Sequence, residues 1–548
     1  MGKQPAGNLL EHIRDRDDVV LNEENGIAYR HDQRASLLSL AACSIGQETF
    51  YGDKTPIIDY LATQVAETHP EWLVKLAVWL RQELHMRTIP VRLGAIASLI
   101  PACRPALRLA FFRICARTED LLAMSELLKD GNQCFARSSP AITRRMVAQA
   151  LNRLDEYNAI KYRHGGRFGL RHLLQLYHPR PRDERQSLLF RWVLEPGCWQ
   201  QFSAEERALL PQIDAFEAFK RTDPNDFTTA RRYVAEGRLP WEVVIPHLGN
   251  GEEAWVVAAS QMPTMALLRN LRNLIESGAL YDTRLRELVL GRLRDPQVVR
   301  DSKQLPFRWL AAYHAVIGVD KEVAEAVAEA LEVSAANLPR WPGRTCIACD
   351  NSGSMSYIPL SRDSSLYPRD IGNLIGAMAS HLCDDALVLV FGSEVSPADM
   401  LPDADIMESQ EWIKAQGELV GCSTYAYLVL DHLERTETFV DRLVILTDME
   451  IYAKQPGVWA CEDQHFPLRL SQYRQRINPS LQTYVINLQP GAHFVATESA
   501  EGVHYIAGWH SDLLYFVATM DEGVTNMVNE ISKVSLEAQS DEPDCEQA

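Results

Sequence analysis

From about residue 35 to residue 335, apolar positions recur at helical spacing almost without a break. Ile57-Ile58, Leu61 and Val65 share one face, and Trp72-Leu73, Leu76, Trp79-Leu80 and Leu84 share the next. Ser139-Pro140 reads as a cap followed by proline at the first helical position, ahead of a helix from Ile142 to Leu154. Trp241 to Leu248, Ala254 to Gln261, Thr264 to Ile275 and Leu285 to Leu293 continue the series. Pro, Gly or Asn-rich turns separate these short segments, with no convincing strand between them and no strict repeat period. The pattern predicts a HEAT-like α-solenoid with degenerate repeats.

Pro339 to Gly343 reads as a linker, and beyond it the periodicity changes. Short apolar runs at 345–349, 386–391, 442–447 and 483–488 alternate with helical segments at roughly 368–383, 425–435, 465–475 and 511–520. Buried strands alternating with helices predict a mostly parallel α/β sheet, whose sites lie at the carboxyl ends of strands. The expected organisation is a helical-repeat domain over 1–340, an α/β domain over 341–535 and an acidic disordered tail over 536–548.

Charge sharpens this division. The chain has 548 residues and a formal net charge of −18. Residues 1–340 hold 44 Lys+Arg against 42 Asp+Glu, whereas residues 341–548 hold 11 against 31. Within the first part, residues 101–200 carry 17 basic and 9 acidic side chains. A basic block beside an acidic domain points to polyanion binding on one side only. The most apolar stretch, Leu93 to Phe112, is broken by Pro101, Arg104, Pro105 and Arg108, so no membrane span is expected. Met1 to Pro5 lacks an apolar core of the secretory kind. Eleven scattered cysteines without framework spacing suit a reducing cytoplasm. Cys346 and Cys349 point to opposite faces of one strand and read as small buried residues.

The densest chemistry lies at Asp350-Asn351-Ser352-Gly353-Ser354, directly after the strand-like run Thr345 to Cys349. Thr424 follows the turn-like Gly421-Cys422-Ser423, and Asp448 ends the run Leu443 to Thr447. Asp350, Ser352, Ser354, Thr424 and Asp448 together offer five hard oxygen donors from three loops, a set suited to Mg²⁺ or a similar divalent ion. The bland alternative is that Asp350 and the serines cap the following helix. A phosphatase with Asp350 as nucleophile would want a second acid at position 352, which is serine. No Gly-x-x-x-x-Gly-Lys-Ser/Thr loop supports mononucleotide binding.

The densest basic segment runs from Lys161 through Arg163 and Arg167 to Arg171-His172, then His178 and Arg180. Lys and Arg suit phosphates, and Tyr162, Phe168 and Tyr177 could stack on unpaired bases. A solvated helical surface with ordinary ion pairs explains the same charges.

The Asp-x-Ser-x-Ser motif with Thr424 and Asp448 resembles the metal-ion-dependent adhesion site of von Willebrand factor A domains. That resemblance implies a coordination position left for an acidic group of a partner. Glu48 to Gly52, Lys161 to Pro179, Met262 to Leu271 and Pro306-Phe307-Arg308, followed by the Asp350 motif, stand in an order similar to the TROVE module of Ro 60-kDa autoantigen orthologues, including the bacterial Ro-related, Rsr-type proteins. The likeness runs from about residue 25 to 525. It implies a monomeric ring of helical repeats closed by a Rossmann-like A domain. Y-like small RNAs would bind an outer basic surface, and single-stranded 3′ ends of misfolded noncoding RNA would enter the cavity. It also implies a link to the exonuclease polynucleotide phosphorylase. The family's RNA-contacting Lys and His fall on Lys161 and His178, but its Arg four places after that Lys is Gly165 here, with Arg163 and Arg167 flanking the gap. The expectation is a noncatalytic RNA-binding protein of RNA quality control or decay. The alternative is a metal-dependent protein-interaction scaffold without a dedicated RNA ligand.

Overall fold

A computed structural model describes residues 19–21, 27–29, 33–42, 55–129, 140–163, 169–195, 197–304, 306–335, 338–357, 367–399, 404–448, 466–488, 502–507, 513–519 and 524–537. The chain divides into two compact units. One comprises Met1–Val65 with Leu338–Lys533, and the other Ala66–Asn337 with Val534–Ala548. The expected acidic tail over 536–548 lies almost wholly outside the described residues.

The second unit is a succession of short helices from Pro70–Gln82 to Lys321–Ala335. Each buries one stripe. Pro70–Gln82 covers Trp72, Leu73, Leu76 and Leu80, and Thr264–Glu276 covers Leu267, Leu268, Leu271 and Leu274. Helices close in sequence pack on one another, as Pro211–Phe219 does on Phe227–Gly237 and Pro306–Val316 on Lys321–Ala335. This local packing gives the α-solenoid that the periodicity predicts. Asp155, Asp183, Ser203, Asp226, Asp282 and Asp295 each accept a backbone N–H from the first turn that follows, so short helices begin where the sequence places a cap. One start differs from expectation: Pro140 itself is the extended cap residue, and the helix runs over Ala141–Leu151. The apolar stretch around residue 100 is not one continuous helix. It breaks at Ile100 into Thr88–Leu99 and Pro101–Ile114, bent by 113°. No single described helix is long and apolar enough to cross a membrane.

The first unit holds a small antiparallel pair, β1 (Val19–Leu21) and β2 (Ile27–Tyr29). Its main sheet contains β3 (Trp341–Asp350), β4 (Cys383–Phe391), β5 (Val395–Pro397), β6 (Arg442–Thr447), β7 (Gln482–Asn487) and β8 (Val503–Ala507). The order is β5-β4-β3-β6-β7-β8. All pairings are parallel except that of the short edge strand β5. The predicted runs correspond to β3, β4, β6 and β7, whereas β5 and β8 lacked long apolar signatures. Helix Ile406–Gly417 was also missed, although Asp405 and Glu408 form a capping box at its start. Helix Gln33–Ala42 packs on β8 and on Val524–Lys533 within this same unit.

Strand β6 carries six buried residues in a row, and the last six positions of β3 are buried too, as befits strands covered on both faces. Cys346 and Cys349 are fully buried free thiols. Cys346 joins the cluster of Ala348, Leu389, Phe391 and Ile445, whereas Cys349 faces helix Pro368–Leu382. That helix lies close because residue 376 is glycine: a β-carbon there would sit 2.5 Å from the Cys349 Sγ. Gly376→Ala is therefore expected to destabilise the chain by about 1–3 kcal/mol through overpacking. Chemical denaturation measures this, and a wild-type midpoint would contradict the packing described.

Candidate functional site

Chain order sets the first candidate site. From β3 the sheet grows to β4 on one side and later to β6 on the other, so a topological switch point lies between β3 and β6. The pairing Cys349↔Leu446 brings their carboxyl ends side by side. Asp350 closes β3 and Asp448 follows β6, so two carboxylates remote in sequence meet at one crevice.

Asp350 is buried, and each of its oxygens is engaged. Oδ1 accepts the Ser352 N–H at 2.9 Å, and Oδ2 accepts the Thr447 hydroxyl at 2.6 Å. Burial first, and the nearby Asp448 charge second, push its pKa up to about 7. The Ser352 and Ser354 hydroxyls lie 3.2 Å apart. The Gly353 N–H donates to the Cys422 carbonyl at 2.9 Å, which brings the loop bearing Thr424 against the serine loop. That second loop is pinned again where Ser423 N–H reaches the Ser393 hydroxyl at 3.0 Å and Tyr425 N–H reaches the Gly392 carbonyl at 3.0 Å. Below the serine loop, buried Asn351 and Asn373 exchange two amide hydrogen bonds of 2.9 and 3.0 Å. Gly417 leaves room for this pair, since a β-carbon there would strike the Asn351 side chain.

The residues predicted from sequence thus converge on one end of the sheet. Asp350 engages the turn of its own loop and a neighbouring strand, and it does not cap helix Pro368–Leu382. Thr447, Ser393 and Asn373 were missed. A Thr-Asp pair at a strand end carries a signal for Thr447, but nothing local marks Asn373, which only tertiary packing identifies. The donor set fits a small divalent cation. Two adjacent buried carboxylates repel one another, and a cation between them reverses the sign of that interaction. Among the described residues no group of three or more His, Cys, Asp or Glu side chains is placed to hold a metal, so the hydroxyls would have to complete the shell.

The basic segment divides into inward and outward groups. Helix Leu170–Tyr177 buries Leu170, Leu173, Leu174 and Tyr177, which turns Arg171 outward. His178 ends the helix in the left-handed conformation, with φ of 47°, donates its N–H to the Leu174 carbonyl and is exposed, as is Arg180. His172 is half-buried. Arg144, exposed on Ala141–Leu151, donates to the Leu176 carbonyl at 3.4 Å and so belongs to the same surface. Lys161 is half-buried and pairs with Glu242 at 3.2 Å. Arg167 lies outside the described residues.

Arg163 corrects its sequence reading. It is buried, its guanidinium lies 4.0 Å over the Trp192 ring, and it faces Glu217 at 3.8 Å. Burial pushes its pKa down and Glu217 opposes the shift. Glu217 also accepts from Trp192 Nε1 at 2.9 Å and from Lys220 at 3.0 Å. This is a core cluster, and Arg163 does not compensate at the surface for Gly165.

Fold and surface together define a helical-repeat protein with a basic face, continued by a parallel α/β domain. The chain belongs to the TROVE domain family, which its residues 26–209 and 224–348 match. The "RNA-binding protein RO60" of Deinococcus radiodurans is 27% identical over 365 residues, which cover 63% of this chain and 65% of that protein. The mouse (Mus musculus) "Telomerase protein component 1" is 26% identical over 336 residues, 52% of this chain, but the match spans only 13% of that much longer protein. Its rat (Rattus norvegicus) counterpart is 25% identical over 360 residues, 57% of this chain and again 13% of the relative. The crystal structure of the Deinococcus radiodurans RO (RSR) protein shares the fold, with a TM-score of 0.67 over 89% of this chain and 99% of that one, at 20% identity.

Two outcomes test these clusters. Asp350→Asn removes one of two adjacent buried charges; its amide oxygen can still accept the Ser352 N–H, and its NH₂ can donate to the Thr447 hydroxyl, which then acts as acceptor. Its melting temperature in chelator should equal or exceed that of wild type, and stabilisation by Mg²⁺ should disappear. For wild type at a hundredfold excess over Kd, that stabilisation is about 2.7 kcal/mol, so an equal Mg²⁺ shift in both proteins would contradict the site. Glu217→Ala leaves Arg163 buried without its carboxylate, and a loss of about 3–5 kcal/mol is expected in chemical denaturation. A loss below about 1 kcal/mol would contradict the reading of Arg163 and Glu217 as a buried, mutually dependent pair.

Proposed function

We propose that this chain is a noncatalytic RNA-binding protein acting in small-RNA quality control or decay. The observation that carries the reading is an uncompensated basic surface. Arg145, Arg171, Arg180 and Arg182 are exposed on or beside successive helices of the solenoid, and no carboxylate pairs with any of them among the described residues. Other arginines of the same unit are neutralised, as Arg191 is by Glu195 and Arg272 by Glu276. A surface that leaves several guanidiniums free in an acidic chain suits a polyanion. Membership of the TROVE family and the likeness to a relative named for RNA binding support the same reading.

In this account Y-like small RNAs dock on the surface carrying Arg144, Arg171, His178 and Arg180, with Lys161 at its margin. Misfolded noncoding RNAs bind by their single-stranded 3′ ends, and polynucleotide phosphorylase is the decay partner. The protein acts as a monomer and by binding alone, since Ser352 stands where a phosphatase would place its acid. The Asp350 site would hold Mg²⁺ through Asp350, Ser352, Ser354, Thr424 and Asp448. The ion would supply a positive centre for an acidic group of a protein partner.

The test is fluorescence anisotropy with a structured small RNA at several salt concentrations. Combined Arg144→Glu, Arg171→Glu and Arg180→Glu substitutions should weaken binding roughly tenfold or more near 0.1 M salt and flatten the salt dependence. Unchanged affinity in a variant with wild-type melting would overturn the surface. A partner protein released by chelation, with no RNA bound under any condition, would favour the scaffold reading instead.

A further inference from the structure

Helix Arg104–Ile114 carries Arg104, Arg108 and Arg113 and no acid. It buries Ala106, Leu107, Ala110, Phe111 and Ile114, which leaves Arg108 exposed on the other side. Phe112 stands one turn along from Arg108, on the same face. The Arg153 guanidinium lies 4.3 Å from the centre of the Phe112 ring. Arg153 is exposed too, and it follows helix Ala141–Leu151, which packs on both Arg104–Ile114 and Leu170–Tyr177. Arg108 and Arg153 therefore share one face, which adjoins the surface bearing Arg144 and Arg171. No carboxylate pairs with either of them among the described residues. Acids serve other cations nearby, since Lys75 pairs with Glu71 at 2.8 Å and Arg117 with Glu119 at 3.6 Å.

A segment from far along the chain is fixed beside these arginines. Val534 and the residues after it belong to the helical unit. Arg113 donates to the Ser535 carbonyl at 2.6 Å and to the Gln82 side chain, and Leu536 is buried. The residues that follow, 538–548, hold Asp541, Glu542, Asp544 and Glu546 and no Lys or Arg. They lie outside the described residues, but the anchor at Ser535 limits where they can go. At about 3.3–3.6 Å per residue, Asp541 stands at most about 20 Å from Ser535, and Glu546 at most about 40 Å. Arg108 is only about 7.5 Å along the helix axis from Arg113, at about 1.5 Å per residue. A tether this short holds its charges at an effective concentration on the order of millimolar.

We propose that the acidic segment 538–548 docks on the face of Arg108 and Arg153 and competes there with RNA, so that the chain carries its own anionic cover. The inference rests on the RNA-binding reading and adds regulation to it. The occupant follows from the anchor and the charges: four carboxylates are delivered beside guanidiniums that no other acid engages, and the two groups suit one another as forked donor and acceptor. Each exposed pair is weak and screened by salt. The cover would therefore yield to a polyanion that reaches many arginines of the basic surface at once, and would exclude one that touches only a few.

The test uses the full-length protein with Asp541→Asn, Glu542→Gln, Asp544→Asn and Glu546→Gln combined, and a labelled RNA stem-loop followed by fluorescence anisotropy. The neutralised variant should bind about three- to tenfold more tightly than wild type near 0.1 M salt, a gain that shrinks as salt is raised. Its melting temperature should equal that of wild type. The same four substitutions added to Arg108→Gln with Arg153→Gln should bring little further gain, because the carboxylates then lack their partners. A labelled synthetic peptide of residues 538–548 should bind the neutralised protein and lose affinity when Arg108 and Arg153 are replaced. Equal RNA affinity of wild type and the neutralised variant would overturn the cover and leave the RNA-binding reading standing. A gain of the same size in the Arg108 and Arg153 background would also overturn it, as an effect of net charge alone. Peptide that does not bind, or binds equally after the arginine substitutions, would overturn the docking face without touching that reading. If no form of the protein binds RNA, the competition falls with the reading it rests on.

Discussion

The α/β unit depends on the parallel pairing of β3 with β6. It joins the two runs of fully buried residues at the centre of the sheet, and its register decides what stands at the carboxyl edge. A slip of one residue would turn every side chain on β6 to the opposite face and carry Asp448 away from Asp350. The core enforces the register, and the register places two carboxylates where neither would settle alone. The loops then adapt to that placement. Thr447 and the Ser352 N–H satisfy Asp350, the Gly353 N–H draws in the Thr424 loop, and the Asn351–Asn373 pair holds the serine turn from beneath.

The helical unit follows a different logic, because its charges fall into three kinds. Arg163 is committed to the core through Trp192 and Glu217. Arg191, Arg272 and Arg286 are neutralised at the surface by nearby acids. Arg171 and Arg180 face solvent without a carboxylate, and so do Arg269 and Arg308 on later helices. Only the third kind has positive charge to offer a ligand, and net charge alone cannot separate the three.

Much of the architecture was legible in the sequence because it rests on periodicity. Apolar residues every three or four positions marked the solenoid, and uninterrupted runs marked β3, β4, β6 and β7. The carboxyl-edge position of Asp350 and Asp448 followed from the same runs. Strand β5, three residues at an edge, and β8 carry too little buried surface to leave such a trace. Arg163 was misread because a dense basic segment says nothing about which side chains turn inward. Leu170, Leu173, Leu174 and Tyr177 fix the outward direction of Arg171 from sequence. Arg163 comes just after the short helix Glu156–Tyr162, and only the contact with Trp192, 29 positions later, fixes its direction.

The central claim is that the free guanidiniums of the helical unit hold RNA. Ultraviolet crosslinking of the protein purified with its co-purifying RNA, followed by mass spectrometry of the crosslinked peptides and sequencing of the RNA, tests it most directly. The account predicts crosslinks within residues 141–182, on the surface bearing Arg144, Arg171 and Arg180, to a discrete structured small RNA. RNA-free protein, or crosslinks confined to the α/β unit, would contradict it.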